Sequence, residues 1–589
     1  MGALAGILGD GSQDDANAMV SRMPHRVAES SCWQPAPRVV FATGSWGGAP
    51  SRSASGDLML DGIIENAPEL RTMLGAGPHT SEPDLLERLL AERGCDGLSE
   101  VRGGFALAWH SGGRVLLACD QARFKSLYWA RLDDRIAFAS EYKGLLALPD
   151  VPTTLDRRAV AYFLATGRSL SDRSFLAVAE SAGPGEAVWL SEAGIFRKRY
   201  WRPRPGPAYR DRRTAEKAVR DSLTSVLERQ SRPYDRIGVT ISTGLDSAAL
   251  IAALHLVRPD VTLESFVIGH GPDDPEVVGA RAVADHVGSR HHEVFYDPEG
   301  LPEDLWELVW LMEDCGGRDE GLLQFSVLRY AGSRVPVVMG GHGADRLYGG
   351  MPRHRLVRLA EVAGVFRKPI ADLFLSTQTR VAPANLLARI PYQLKYGRAD
   401  VPSPCAMPDL TPADLGWSAD LNRHLADTMM DSPTYGYIEP IHERVRARFH
   451  TPFLDPDMID VAMRVPSRHK IDLRAAKIVL RGAVKRMLPP TVVDRKKAIQ
   501  NLVRDTRVDE QLVGLANRLL PNGAATDLGL FDGPGYAAAR SEWESVPLRA
   551  PVRWRLWPML CLEMWVRQFV LERGAARARD AMPPPMLVG

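Results

Sequence analysis

The stretch Ile237-Gly-Val-Thr-Ile-Ser-Thr-Gly-Leu-Asp-Ser-Ala-Ala-Leu250 sets a short apolar run, a glycine-bearing turn and the start of an apolar segment one after another. The run predicts a buried strand over Ile237–Ile241 and, after the turn, a helix over Ala248–Leu256. Outward from it, Leu263–Ile268 and His292–Tyr296 read as further strands, with a helix over Pro275–Val287 between them. Val335–Met339 adds another buried strand ending in glycine. Strand and helix alternate, which predicts a parallel sheet with helices on both faces, an α/β doubly wound arrangement.

Upstream, Thr214 is expected to cap a helix whose Val219, Leu223, Val226 and Leu227 share one face, with Glu216 in its first turn. Before it, Trp201-Arg-Pro-Arg-Pro-Gly-Pro207 can continue neither a helix nor a central strand. The expected organisation is a first domain over residues 1–205, a second over 212–575, and a flexible tail over 576–589 ending in Pro583-Pro-Pro585. The first domain carries short β-rich runs, among them Phe105–Trp109, Arg114–Cys119 and Arg135–Ala139.

Lys and Arg number 73 against 72 Asp and Glu, a formal charge of +1. No global field draws nucleic acid or an anionic membrane, so any anion must be held locally. The most apolar late stretch, Trp554–Val570, is broken by Arg555, Glu563 and Arg567 and reads as a buried helix, not a membrane span. With no signal-like apolar run at the start, the cytoplasm is the expected location. The six cysteines form no CxxC pair, which fits neither a zinc site nor a disulfide framework.

Two loops carry chemistry. In Ser242-Thr-Gly-Leu-Asp-Ser247, backbone N–H groups at a helix start offer a site for phosphate oxygens, and Gly244 allows close approach of the main chain. Asp246 supplies a hard oxygen ligand suited to Mg²⁺ on a polyphosphate. An ordinary capped turn is the alternative. The second loop, Gly340-Gly-His-Gly-Ala-Asp-Arg346, follows the Val335 strand, so Asp345 can face Asp246 across the crevice at the carboxyl ends of the strands. The alternative for Asp345 is a turn or cap carboxylate.

The S-x-G-x-D-S turn, the G-x-G-A-D loop about a hundred residues later and Lys477-Ile-Val-Leu-Arg481 together resemble the synthetase domain of asparagine synthetase B and its relatives. Pro452-Phe-Leu-Asp455 and Arg495-Lys-Lys497 fit the same pattern. Gly103–Ala108, Asp120, Ser126-Leu-Tyr128 and Phe138–Lys143 resemble the glutaminase half. The resemblance implies an N-terminal glutaminase-like (Ntn) sandwich followed by an ATP-pyrophosphatase-type synthetase domain. It also implies ATP and Mg²⁺: Ser242, Thr243, Gly244, Asp246 and Ser247 at pyrophosphate, Asp246 and Asp345 on the metal, Ile268, Gly340 and Gly341 by the nucleotide, and Lys477 as the catalytic lysine. A fixed ammonium there stabilises negative charge growing on the reacting centre.

The departures are as informative. A family glutaminase begins Met-Cys-Gly-Ile-Ala-Gly, whereas this chain begins Met1-Gly-Ala-Leu-Ala-Gly6. Gly2 stands at the nucleophile position and cannot form a thioester. The family's N-G-E appears as Asp61-Gly62-Ile63. Glutamine hydrolysis is therefore expected to be absent, the first domain a structural remnant, and the amine part of the substrate itself.

Two branches of the family work so: β-lactam synthetases and lasso peptide cyclases. About Arg353–Tyr437 is extra sequence that a peptide substrate would use, which favours a cyclase served by a leader peptidase and a leader-recognition protein. A lid or an oligomer contact is another use for the segment. His342 departs from both asparagine and β-lactam synthetases, and is a candidate to accept the amine's proton, beside a shaping or hydrogen-bonding role. His450 is given no function. His291 and His292, adjacent on a strand, point to opposite faces and are expected to be structural. Glu313 and Asp314, after an apolar helix, are expected to be a carboxylate pair on a solvated helix end, with contact to substrate as the alternative.

Overall fold

A computed structural model describes residues 2–46, 52–170, 173–313, 320–378, 410–430, 438–472, 474–493, 505–531, 533–543, 546–548 and 550–576. Much of the extra segment, the tail beyond residue 576, Asp314, Cys315 and Cys405 lie outside the described residues.

The N-terminal part is a sandwich of two antiparallel sheets, one of six strands and one of five. Leu4, Phe41 and Phe138 from the first sheet meet Met59, Ala106 and Leu117 from the second in a closed apolar layer. Strand Gly2–Gly9 lies within the first sheet, between Val39–Ser45 and Arg135–Ala139, and is buried along its whole length. Helices Ala67–Leu74 and Glu82–Arg93 cover the other face of the second sheet.

The C-terminal part is built on a five-stranded parallel sheet. Across it run Arg290–Phe295, Thr262–Gly269, Arg236–Thr240, Val337–Met339 and Arg448–His450. Order reverses at Arg236–Thr240, whose two neighbours are the strand that follows it and the much later Val337–Met339. The crevice outside the carboxyl ends of such a pair is where open α/β sheets bind ligands.

Helix Leu245–Val257 is apolar all round over Ala248–Leu254, where it is buried, and Pro275–Val287 packs beside it. Helix Arg212–Ser231 begins earlier than expected. Its cap is Asp211, whose carboxylate accepts the Thr214 N–H at 2.8 Å, so Thr214 stands inside the first turn. Ala550–Trp565 is helical and runs into a wider π-turn over Val566–Leu571, largely buried. Among the described residues no helix is long and apolar enough to cross a membrane.

Candidate active site

The strand Arg236–Thr240 delivers its chain into the Ser242–Ser247 loop, and Gly244 starts the next helix from an extended conformation. The loop is tied internally. Gly244 N–H donates to Ser242 Oγ at 3.0 Å, and the Ser242 and Ser247 hydroxyls lie 3.0 Å apart. Thr243 is held apart from the other loop residues: it is buried, and its hydroxyl donates to Glu276 at the start of the neighbouring helix. The second loop lies directly against the first. A Cβ on Gly341 would stand 2.9 Å from Ser247 N and 3.1 Å from Asp246 Cβ, so only glycine lets the two loops approach this closely.

Lys477 closes the site. It adopts the left-handed conformation (φ 56°) as the cap of helix Ile478–Val484, and its side chain is 7% exposed. Its Nζ lies 2.6 Å from Asp246 Oδ2 and 2.6 Å from Asp345 Oδ1. Burial opposes the ammonium, but the two carboxylates outweigh it and hold the Lys477 pKa above its ordinary value. Three residues drawn from separate stretches of sequence thus share one point. Both carboxylates converge on one spot and keep some access to solvent, at 16% and 18% exposure. Hard oxygens so arranged suit Mg²⁺.

Gly350 has no role in the motifs, yet the site depends on it. A Cβ there would overlap Asp345 Oδ1 and Lys477 Cε. Its signal in the sequence is only the pair Gly349-Gly350 soon after Asp345. Ile268, near the carboxyl end of its strand, and Gly340, just after Val337–Met339, lie on the same edge of the sheet as the two loops.

His342 is seated by aromatic rings. Its ring meets Phe449 edge-on at 5.7 Å, and Phe449 stacks on His442 at 3.9 Å. Burial pushes His342 down to about 4 despite Asp345, so it is neutral near pH 7. A base that weak is a poor acceptor for the proton of an amine that titrates near 8.

At the position of the family's glutaminase nucleophile there is no room for a side chain. A Cβ on Gly2 would stand 2.6 Å from the Gly44 carbonyl oxygen, and Asp61 is buried in an ion cluster. Lys125 Nζ lies 3.0 Å from Asp61, 2.5 Å from Glu439 and 2.6 Å from Glu443, and Arg26 pairs with Glu141 and Glu439. Glu439 and Glu443 lie on helix Ile438–Val445, so the cluster fastens the first domain to the second. His450 does the same, its Nδ1 3.0 Å from Glu65.

Glu313 corrects an expectation. It is buried rather than solvated, and accepts the Tyr142 and Lys143 N–H groups at 2.9 and 2.6 Å. His291 bonds Ser265 at 2.9 Å, while His292 stacks on Phe266.

The sequence model described as asparagine synthase matches residues 218–567, more than half of the chain. The chain belongs to the asparagine synthase family. A second model, the glutamine amidotransferase domain, matches residues 1–201. The chain is 24% identical over 475 residues to asparagine synthetase [glutamine-hydrolyzing] 1 of Bacillus subtilis, covering 75% of this chain and 74% of the relative. It is 28% identical over 486 residues to a putative asparagine synthetase of Mycobacterium tuberculosis, covering 74% and 72%. It is 28% identical over 330 residues to the carboxyethyl-arginine beta-lactam-synthase of Streptomyces clavuligerus, covering 55% and 60%. As a member of the asparagine synthase family, the protein is an ATP-dependent ligase that forms amide bonds.

Proposed function

We propose that the protein is a lasso peptide cyclase that joins an Asp or Glu side chain of a ribosomally made core peptide to that peptide's own N-terminal amine. The carrying observation lies in the first domain, where Gly2 stands at the nucleophile position with no room for a side chain and Asp61 is committed to Lys125. With no glutamine-derived ammonia, the nitrogen comes from the substrate.

In this reading a side-chain carboxylate oxygen attacks the α-phosphorus of ATP and pyrophosphate leaves. The amine then attacks the acyl carbon, AMP leaves with the acyl oxygen, and the amine's proton passes to solvent. The Ser242–Ser247 loop would hold pyrophosphate, and Asp246 with Asp345 would hold Mg²⁺, which neutralises polyphosphate charge when bound. Lys477 stabilises negative charge on the reacting centre. His342, neutral and packed on Phe449, shapes the pocket and offers a hydrogen bond. Holding two ends of one molecule together supplies much of the rate. A leader peptidase and a leader-recognition protein would prepare the substrate in the cytoplasm.

The similarity to a beta-lactam synthase supports a second reading, ring closure within a small amino-acid derivative. Incubation with ATP and a core peptide separates the two. The cyclase reading expects pyrophosphate release and a product lighter by one water, without glutamine. Pyrophosphate released with small metabolites and never with peptides overturns it in favour of the second.

A further inference from the structure

Apart from the nucleotide loops, helices Arg212–Ser231, Ser467–Lys470 and Ile478–Val484 enclose an open groove of about 640 Å³. That lies within the about 300–1,000 Å³ common to ligand sites. Its rim is cationic. Arg212, Arg468, Lys485 and Arg486 are exposed around it, while Ile478 and Val493 supply an apolar floor.

The chain as a whole is nearly neutral, so this charge is a local concentration. Asp472 also lines the groove, but its carboxylate is turned to the Arg474 and Ala475 N–H groups at 2.7 and 2.6 Å. Arg212 is paired with Glu216 at 2.6 Å. Among the described residues, Arg468, Lys485 and Arg486 have no carboxylate within ion-pair distance. Exposed cations left without counter-charges around an apolar floor fit an acidic, partly apolar ligand. Among the described residues no Phe, Tyr or Trp lines the groove, and these offer no aromatic stacking platform of the kind single-stranded nucleic acid uses.

Position identifies the occupant. The floor helix Ile478–Val484 is capped at one end by Lys477 and at the other by Lys485. The 7 helical residues between them put the two lysines about 12 Å apart at the usual rise. An extended peptide spans that distance with about four residues.

We propose that this groove docks an acidic segment of the peptide substrate, a short extended stretch away from the carboxylate that the Lys477 site activates. The identity of the occupant as substrate rests on the cyclase reading; the preference for acidic peptide rests on the groove alone. Docking there would hold the substrate by side chains that do not react, and present the reacting carboxylate to Asp246, Asp345 and Lys477.

Fluorescence anisotropy with a fluorescein-labelled peptide of alternating Glu, Gly and Leu tests this without ATP or turnover. The intact protein is expected to bind the probe, and Arg468→Glu/Lys485→Glu/Arg486→Glu to bind it about tenfold or more weakly, with an unchanged melting temperature. The same peptide with Lys for Glu is expected to prefer the variant. Should the triple variant fail to fold, Arg468→Gln and Lys485→Gln singly are each expected to weaken binding. Equal affinity in both proteins, no binding by the intact protein, or tighter binding of a single-stranded oligonucleotide of equal charge overturns the proposal. A protein that binds the probe through these residues but never cyclises a peptide keeps the acidic-peptide site and loses the cyclase reading. One that cyclises an acidic peptide with the same KM after charge reversal loses the groove and keeps that reading.

Discussion

Arg26 and Glu439, 413 positions apart in the chain, meet through two guanidinium nitrogens and two carboxylate oxygens, with side chains only 2% and 3% exposed. Such a pair ties the first domain's outer layer to a helix beside the synthetase crevice. Lys125 shares the same carboxylate, so removing Arg26 leaves Glu141 and Glu439 buried with fewer counter-charges. Breaking a buried pair from one side costs about 3–5 kcal/mol. Arg26→Ala is therefore expected to lower stability by about that amount, read as a shift in the urea midpoint. A shift worth less than about 1 kcal/mol, as for an exposed pair, would show that the cluster contributes little to joining the domains.

Lys470 is fully buried, and its Nζ has no hydrogen-bond partner among the described residues. Burial, opposed by Asp420 and Glu361, holds its pKa down to about 7 from an ordinary 10.5. The unfolded chain binds more protons at this position between those two values, so this group makes stability rise with pH from about 7 to about 10.5. Below pH 7 the cost of a buried ammonium is felt in full. Lys470→Met is expected to stabilise the protein at pH 6 by a few kcal/mol, on the order expected for that displacement. The gain should shrink steadily toward pH 10. Denaturant titrations across that range check it, and a gain that does not vary with pH would count against a depressed Lys470.

The two inner strands that follow one another in the parallel sheet were legible because they are largely buried on both faces. Ile237–Ile241 and Leu263–Ile268 read as apolar runs, and the observed strands Arg236–Thr240 and Thr262–Gly269 differ from them by one residue at each end. Arg448–His450 gives no such signal: three residues long, it opens with an exposed arginine and sits at the sheet edge. The cap of Arg212–Ser231 was misplaced because Asp211 and Thr214 both suit that position, and only the backbone path decides between them.

Within the site, Asp246, Asp345 and Lys477 could be named from motifs. What the motifs do not carry is their surroundings. The depressed pKa of His342 follows from burial where Phe449 packs, more than a hundred positions away. The burial of Glu313 likewise depends on Tyr142 and Lys143. Interactions across such separations leave no local pattern.

Lys477→Met tests whether the ammonium acts on the reaction or only joins two aspartates. Methionine keeps the length and apolar stem but removes the charge facing Asp246 and Asp345. Loss of one preorganised charge-stabilising group costs about 10²–10³-fold in kcat. The variant is expected to lose amide formation to that extent while still binding ATP, measured by product mass and by nucleotide titration. Undiminished kcat would remove Lys477 from the chemistry.

Gly350→Ala probes the same triad from behind. Gly350 does not adopt the positive φ that marks its neighbour Gly349 (φ 74°), so an alanine meets no conformational strain there. The obstacle is space, because the added methyl would overlap Asp345 Oδ1 and Lys477 Cε. One of the two side chains must move, and the ion pair between them at 2.6 Å is broken. Displacement of a reacting group by about 1 Å can cost about 10²-fold in rate. The expectation is thus a folded protein with a near-normal melting temperature and about 10²-fold lower amide formation. Gly349→Ala is the contrast: it is strained at its positive φ and is expected to act mainly on stability. If Gly350→Ala forms product at the normal rate, Asp345 and Lys477 do not need their observed contact for catalysis.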